Sequence, residues 1–470
     1  MQTSQIPEIF KAQKIRIRQA EVQPIASRIA SLARIKRWIE QNRRQIQDAI
    51  FKDFGKPPAE VDLSEIYPVL SEIKHAQKSI EQWTRSIRAA APVALIGTKS
   101  RVIYEPKGVC LIISPWNFPF NLTVAPLVSA LTAGNRVILK PSELTPNCSS
   151  LIEKMVSELF DPDEVAVIPG GKEVAEQLLK LPFDHIFFTG SPKVGKIVMQ
   201  NAAQNLSSVT LELGGKSPAV VDVSANLEDT AEKLVWGKFL NCGQTCIAPD
   251  YVLVEETVEE ALLEHMISYV DKFFDPEGEG IDASNSYSRI ISSQHLQRLD
   301  LLLSEALDEQ AFLECGGVVD YQQMYFAPTI VSKVGLDTRL MQEEIFGPIL
   351  PVICYSKLSE VIEQINQRPK PLALYVFSES KTFVDRVIKE TSSGSMAIND
   401  CIIQFMNPNL PFGGVNNSGF GKSHGFRGFQ AFSNEKSIIT QKTGMTSVKP
   451  LYPPYTGLTQ KAIDLLLKYL

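Results

Sequence analysis

Two residues stand out by type and setting. Cys246 closes the stretch GQTC at 243–246, and Glu212 opens ELGGKSP at 212–218. A soft nucleophile and a carboxylate, each in glycine-bearing backbone that a ligand can approach closely, suit the formation of a thioester and its hydrolysis. Asn117, inside PWNFP at 115–119, adds a carboxamide donor for an oxyanion. FTGSPKVG at 188–195 adds a glycine turn, Gly190 and Ser191, feeding a helix expected over 193–203, whose free N–H groups suit a pyrophosphate. Taken singly, these are a small buried hydrophobe, a strand-end carboxylate and a turn asparagine. Taken together they point to an enzyme.

Other patterns mislead. GSPKVGKI at 190–197 nearly spells a P-loop, but Ile197 stands where a magnesium-binding hydroxyl is required. GFGKSHG at 419–425 has dinucleotide-like glycine spacing, yet no strand is expected to lead into it and too little chain follows for a βαβ unit. Cys242 and Cys246 in CGQTC lack zinc-ligand spacing, and the histidines at 75, 185, 265, 295 and 424 share none, so no metal is expected.

The four stretches, in this order, resemble the NAD(P)-dependent aldehyde dehydrogenase superfamily. KPSE (140–143), EEIFGP (343–348) and PFGG (411–414) extend the resemblance along nearly the whole chain. It implies that Cys246 is the nucleophile, Glu212 the general base for water, and Asn117, with the Cys246 N–H, the oxyanion site. It further implies NAD or NADP as cofactor. Lys140, Ser142 and Glu143 would lie at the adenosine ribose, Gly190 and Ser191 at the pyrophosphate, and Glu344 and Phe346 at the nicotinamide side. WGKFLNCGQTCIAPDY at 236–251 looks most like the class 3 or fatty aldehyde dehydrogenase branch, as does a start without the extra N-terminal segment of the tetrameric branches. That branch implies a homodimer acting on medium- to long-chain aliphatic, aromatic or polyene aldehydes. Tyr67, Trp236 and Thr245 match its substrate-pocket positions. Asn416 occupies a place that relatives often fill with glycine. Two competing readings are a non-catalytic protein on the same fold and a cysteine hydrolase without nicotinamide. The first does not need Cys246, Glu212 and Asn117 together, and the second leaves Lys140, Glu143, Gly190 and Glu344 unexplained.

Positioning such groups requires a large scaffold, and 470 residues supply one of several units. Mixed segments at 9–52 and 60–90 read as helices. From 109 the pattern becomes strand and helix in alternation: 109–114, 136–140, 164–169 and 185–190, then a second series at 218–223, 251–256, 348–353, 372–377 and 395–399. The expected fold class is therefore α/β, with two doubly wound parallel-sheet lobes. By the resemblance, 1–92 and 109–211 form the cofactor-binding domain and 212–415 the catalytic domain. The segments 93–108 and 432–446 form a small β bridging (oligomerisation) domain, with 447–470 as a C-terminal tail.

Hydrophobic residues at 44% and charged residues at 21% fit a soluble globular chain, and a net charge of −6 gives no basic footprint for nucleic acid. Seven cysteines, an odd number, suit a reducing, cytoplasmic setting rather than a disulfide framework. The N-terminus has no signal-peptide core. The apolar region 109–131 is broken by Pro115, Asn117, Pro119, Asn121 and Pro126, so no transmembrane segment is expected. The tail at 461–470 is too short to cross a bilayer, but it can cap the pocket or touch a membrane surface.

Overall fold

The structure is a computed structural model that describes residues 5–19, 23–444 and 446–468. The two expected strand series become two separate sheets. The first has six strands in the order Gly419–Phe420, Ser208–Leu213, His185–Gly190, Val109–Ile113, Arg136–Lys140 and Val165–Val167. All its pairings are parallel except that of Gly419–Phe420, which runs antiparallel to Ser208–Leu213. The second has seven strands: Phe312–Cys315, Thr329–Ser332, Ile349–Tyr355, Tyr251–Glu255, Pro218–Val221, Ala373–Phe377 and Ser395–Ile398. Only its edge strand Phe312–Cys315 is antiparallel.

Strand Val109–Ile113 shows why such runs read as continuous apolar stretches. Cys110 and Ile112 join the core on one face of the sheet, while Val109, Leu111 and Ile113 join the core on the other. A parallel strand covered on both faces has no polar side to expose. Helix Asn121–Ala133 packs in that first core and is buried nearly all round. Its apolarity is thus core apolarity, and no helix among the described residues is long and apolar enough to cross a membrane.

The two long helical segments are subdivided. The first becomes Ile6–Gln19, Ile25–Gln41 and Arg43–Phe54, the last stopped by Gly55 at φ 67°. The second ends at Trp83, and Ile87–Ala89, expected as helix, is instead a strand. It completes a three-stranded antiparallel sheet with Lys99–Pro106 and Ser433–Thr440, whose register runs from Ser433 opposite Pro106 to Thr440 opposite Lys99. This sheet stands apart from both parallel sheets; it takes Lys99–Pro106 and Ser433–Thr440 from the segments expected as arms, 93–108 and 432–446, and Ile87–Ala89 from outside them, and residue 445 lies outside the described residues. The rejected stretch GFGKSHG has a little structure of its own. No strand leads into it; its own first two residues, Gly419–Phe420, form a short strand and helix Gly425–Ala431 follows, but antiparallel pairing rules out a βαβ unit. In the tail, Gly457–Lys468 is helical, and residues 469 and 470 of the expected surface segment lie outside the described residues.

Candidate active site

Between the two parallel sheets lies a cavity of about 310 Å³. It brings together Asn117, Glu212, Thr245 and Cys246, with Gly190, Ser191, Trp236, Glu344 and Phe346 also in its wall. Lys140, Ser142, Glu143 and Tyr67 are not part of that wall. Tyr67 is 50% exposed, and its neighbours Leu63, Ser64 and Pro68 line the cavity instead, so the expected pocket role of Tyr67 is not supported by its position. One residue along a helix turns the side chain by about 100°, which is enough to exchange a lining position for a solvent one.

Cys246 follows a left-handed run: Asn241, Cys242 and Gly243 have φ of 55°, 54° and 73°. Gly243 is required there, because a Cβ would meet the Gly347 carbonyl oxygen at 2.2 Å. The loop is pinned by Gln244, whose Nε2 donates to the carbonyls of Asn241 and Arg289, both at 3.0 Å. Cys246 is partly buried, and burial, then Glu344, then Glu212, hold its thiol well above the usual range. Cys242, by contrast, is fully buried, and its Sγ donates to the Tyr287 hydroxyl at 3.2 Å. Packing accounts for it.

Asn117 sits in a clamped turn. Its Nδ2 donates to the Gln244 carbonyl at 3.0 Å, and its own carbonyl accepts from Asn241 Nδ2 at 2.9 Å and Lys56 Nζ at 3.2 Å. Lys56 is fully buried against Glu65 at 2.8 Å, and Glu65 accepts the N–H groups of Phe120 and Asn121 at 3.1 and 2.9 Å. A buried ion pair is a poor source of stability, since desolvation offsets most of its attraction. Here every strong group of the pair fastens the turn that presents Asn117. Sequence reading missed both residues, which belong to no recognisable motif.

Glu212 lies at the end of strand Ser208–Leu213, and at 5% exposed it is not the solvent-facing carboxylate such a strand end usually carries. One carboxylate oxygen accepts a hydrogen bond from the Ser423 hydroxyl, and the other from Thr189 Oγ1 at 3.4 Å. Burial pushes it up to about 7, against the lowering effect of Ser423, Thr189 and Lys422. At neutral pH it can therefore both accept and release a proton. Ser423 was also missed, hidden in the stretch discarded as a false dinucleotide signal.

Glu344 accepts from the Gly215 N–H at 3.1 Å, and burial, with Asp250 adding, pushes it up to about 8. Its loop is anchored by Lys216 of GGKSP, which bonds Asp250 at 2.6 Å and the Leu340 and Glu343 carbonyls at 2.7 and 2.9 Å. Phe346 is held at φ 50°, strained for an aromatic residue, and meets Trp116 edge-on at 5.4 Å. Asn416 has φ 56°, a left-handed conformation that asparagine tolerates and glycine adopts freely.

At the carboxyl ends of the first sheet's strands, helix Pro192–Gln204 begins beside Gly190, with Ser191 capping it by accepting from the Val194 N–H at 3.4 Å. A Cβ on Gly190 would strike the Phe188 ring at 2.6 Å. Lys140, at the end of its strand, pairs with the half-exposed Glu143 at 2.8 Å, while the Ser142 hydroxyl accepts from the Leu144 N–H at 3.2 Å. These groups fit a dinucleotide running from a ribose at Glu143 to the cavity, where ligands of open α/β sheets bind. No group of three or more potential metal ligands occurs among the described residues.

Residues 1–438 match the family described as "Aldehyde dehydrogenase family". Over 437 residues the chain is 44% identical to the 4,4'-diaponeurosporen-aldehyde dehydrogenase of Staphylococcus aureus, covering 93% of this chain and 94% of that protein. It is 39% identical over 452 residues to the dimeric NADP-preferring aldehyde dehydrogenase of Rattus norvegicus, covering 96% and 98%. A solved substrate-bound state of Staphylococcus aureus AldH superposes with a TM-score of 0.94 at 42% identity, covering 98% of this chain and 99% of that one. With the site's geometry, these matches establish that the chain belongs to the aldehyde dehydrogenase family, whose enzymes use NAD or NADP.

Proposed function

We propose that this enzyme oxidises apolar aldehydes, medium- or long-chain aliphatic, aromatic or polyene, to carboxylic acids through a thiohemiacetal and then a thioester on Cys246. The observation that carries the proposal is one cavity holding Cys246, Asn117 and Glu212 among Leu63, Pro68, Leu122, Trp236, Phe405 and Met406. Cys246 gives up its thiol proton to water, and its Sγ bonds to the aldehyde carbon as the carbonyl π electrons move onto oxygen. The Asn117 amide and the Cys246 N–H stabilise the oxyanion, an effect worth about 3–4 kcal/mol per donor in studied enzymes. A bound nicotinamide dinucleotide supplies the hydride acceptor. Glu212 then takes a proton from water, which attacks the thioester carbonyl, and the acid leaves. Residues 212–415 carry the chemistry, and 1–92 with 109–211 carry the cofactor, with Lys140, Ser142 and Glu143 at its ribose, Gly190 and Ser191 at its pyrophosphate and Glu344 and Phe346 toward its nicotinamide.

A homodimer is supported by the separate antiparallel sheet, whose outer strand Ser433–Thr440 leaves Ile439 exposed. The seven free cysteines support a cytoplasmic setting. Leu458, Leu465 and Leu467, exposed on helix Gly457–Lys468, support a peripheral membrane contact or a cap over the entrance. The substrate class is tested with alkanals from acetaldehyde to hexadecanal, plus aromatic and polyene aldehydes, followed by absorbance of the reduced nicotinamide with each cofactor. Each added methylene is expected to gain up to roughly 0.8 kcal/mol, about fourfold in kcat/KM, until the cavity is full. Equal efficiency on acetaldehyde and decanal would end the apolar-substrate proposal.

A further inference from the structure

Glu212 lines two cavities. One holds Cys246; the other, of about 20 Å³, has Glu72, Asn121, Ser129, Glu212 and Ser423 in its wall. That is room for one water, which needs roughly 10–15 Å³ and two to four polar partners. Partners are present. Asn121 Oδ1 is buried and without a hydrogen-bond partner among the described residues. Glu72 is 7% exposed, and its carboxylate receives only the Gly425 N–H, at 3.1 and 3.3 Å, with no cation paired to it among the described residues. Burial pushes Glu72 up to about 7, level with Glu212. Two buried carboxyl groups, both pushed up by burial and both facing one small cavity whose wall is otherwise mostly apolar, can exchange a proton at little cost through a water held between them.

We propose that Glu72 accepts the proton that Glu212 takes from the hydrolytic water, through a water held in the cavity between them. The inference rests on the assignment of Glu212 as base. In the hydrolysis, the water oxygen bonds to the acyl carbon, the bond from that carbon to Cys246 breaks with its electron pair going to sulfur, and one water proton passes to Glu212. Glu212 gives that proton to the bridging water as the water gives one to ionised Glu72, which later releases it to solvent. Glu212 is thereby ready again while the acid still fills the reaction cavity. Glu72 is a positioning residue for the proton and does not touch substrate. The other titratable groups around it are His75 on its own helix, His424 at the head of helix Gly425–Ala431, and Glu212 with Lys422 across the cavity. His424 is held neutral near neutral pH, since burial pushes it down to about 4, and burial also lowers His75. Helix Asn121–Ala133 brings no charged side chain.

The test measures the burst of reduced cofactor and the following deacylation rate against pH for the wild type, Glu72→Gln, Glu72→Asp and Glu212→Gln. Glu72→Gln is expected to keep the burst rate while deacylation slows about tenfold near pH 7, recovering at alkaline pH or with added imidazole; Glu72→Asp should recover part of the rate. Burst amplitude counts the folded, acylating enzyme. Should Glu72→Gln not fold, Ala125→Val, which fills the cavity, is expected to slow deacylation in the same way. A wild-type deacylation profile in either variant, or a burst slowed in parallel with deacylation, would overturn the proposal. Blocked deacylation in Glu212→Gln with normal deacylation in Glu72→Gln removes the relay alone, whereas normal deacylation in Glu212→Gln removes the base assignment and the relay with it.

Discussion

Ser423→Ala isolates the interaction that tunes the base. In the structure Glu212 is pushed up to about 7 by burial, and the Ser423 hydroxyl bond is the largest effect opposing that rise. A hydrogen bond to a charged group contributes about 1.5–3 kcal/mol, and one pKa unit is about 1.4 kcal/mol, so losing it should raise Glu212 by roughly one to two units. At pH 7 the ionised fraction would fall from about a half to between about a tenth and a hundredth. Deacylation should therefore slow about five- to fiftyfold at pH 7 and recover at about pH 10, where the variant's carboxylate is ionised too. Stopped-flow traces separate the two phases: the burst reports acylation by Cys246, and the slow phase reports Glu212. A midpoint for the slow phase that stays put or moves to lower pH in Ser423→Ala would refute this account of how Glu212 is tuned.

Cys246→Ala should abolish oxidation while leaving dinucleotide binding by calorimetry near wild type; Cys242→Ala should keep its turnover and lose about 1 kcal/mol of stability with the Tyr287 contact. Glu143→Gln removes a carboxylate that favours a 2′-hydroxyl over a 2′-phosphate and frees Lys140 from its ion pair, so the ratio of kcat/KM for NADP over NAD should rise about tenfold, and an unchanged ratio would separate Glu143 from the 2′ position. Glu72 also bears on stability. Burial pushes it up to about 7, above the ordinary carboxyl value of 4.5, so its stabilising contribution is full below about 4.5 and is lost as pH rises through 7. Glu72→Gln should therefore gain up to roughly 3 kcal/mol on the wild type between pH 4 and 8 in denaturant titrations, and a pH-independent difference would contradict the shift.

The alternation of strands and helices was legible because parallel strands buried on both faces must be apolar throughout, as VCLII at 109–113 is. The strand Ile87–Ala89 was not, since all three residues are exposed and so short a run carries no alternation of apolar and polar residues. The grouping of Cys246, Glu212 and Asn117 was anticipated because each sits in an unusual local context. What stands behind them was not. Lys56, between the two expected helical segments, and Glu65, inside the second, look like ordinary surface charges, and only the fold buries them against the Asn117 turn. Ser423 reaches Glu212 from the far end of the chain through an antiparallel two-residue strand too short to leave a pattern. Tyr67, matched by position to the pocket, is half-exposed beside the lining residues Leu63, Ser64 and Pro68, a distinction of helix face that position in the sequence does not carry.

In the proposed mechanism Cys246 carries the acyl group and Glu212 releases it. The most direct measurement is mass spectrometry of Glu212→Gln, acid-quenched during turnover of an alkanal with cofactor. One reduced cofactor per active site is expected in the burst, with an acyl mass on the peptide containing Cys246 that persists because the amide cannot accept the water proton. A burst without a modified cysteine, an acyl group on Cys242, or wild-type deacylation in this variant would contradict it.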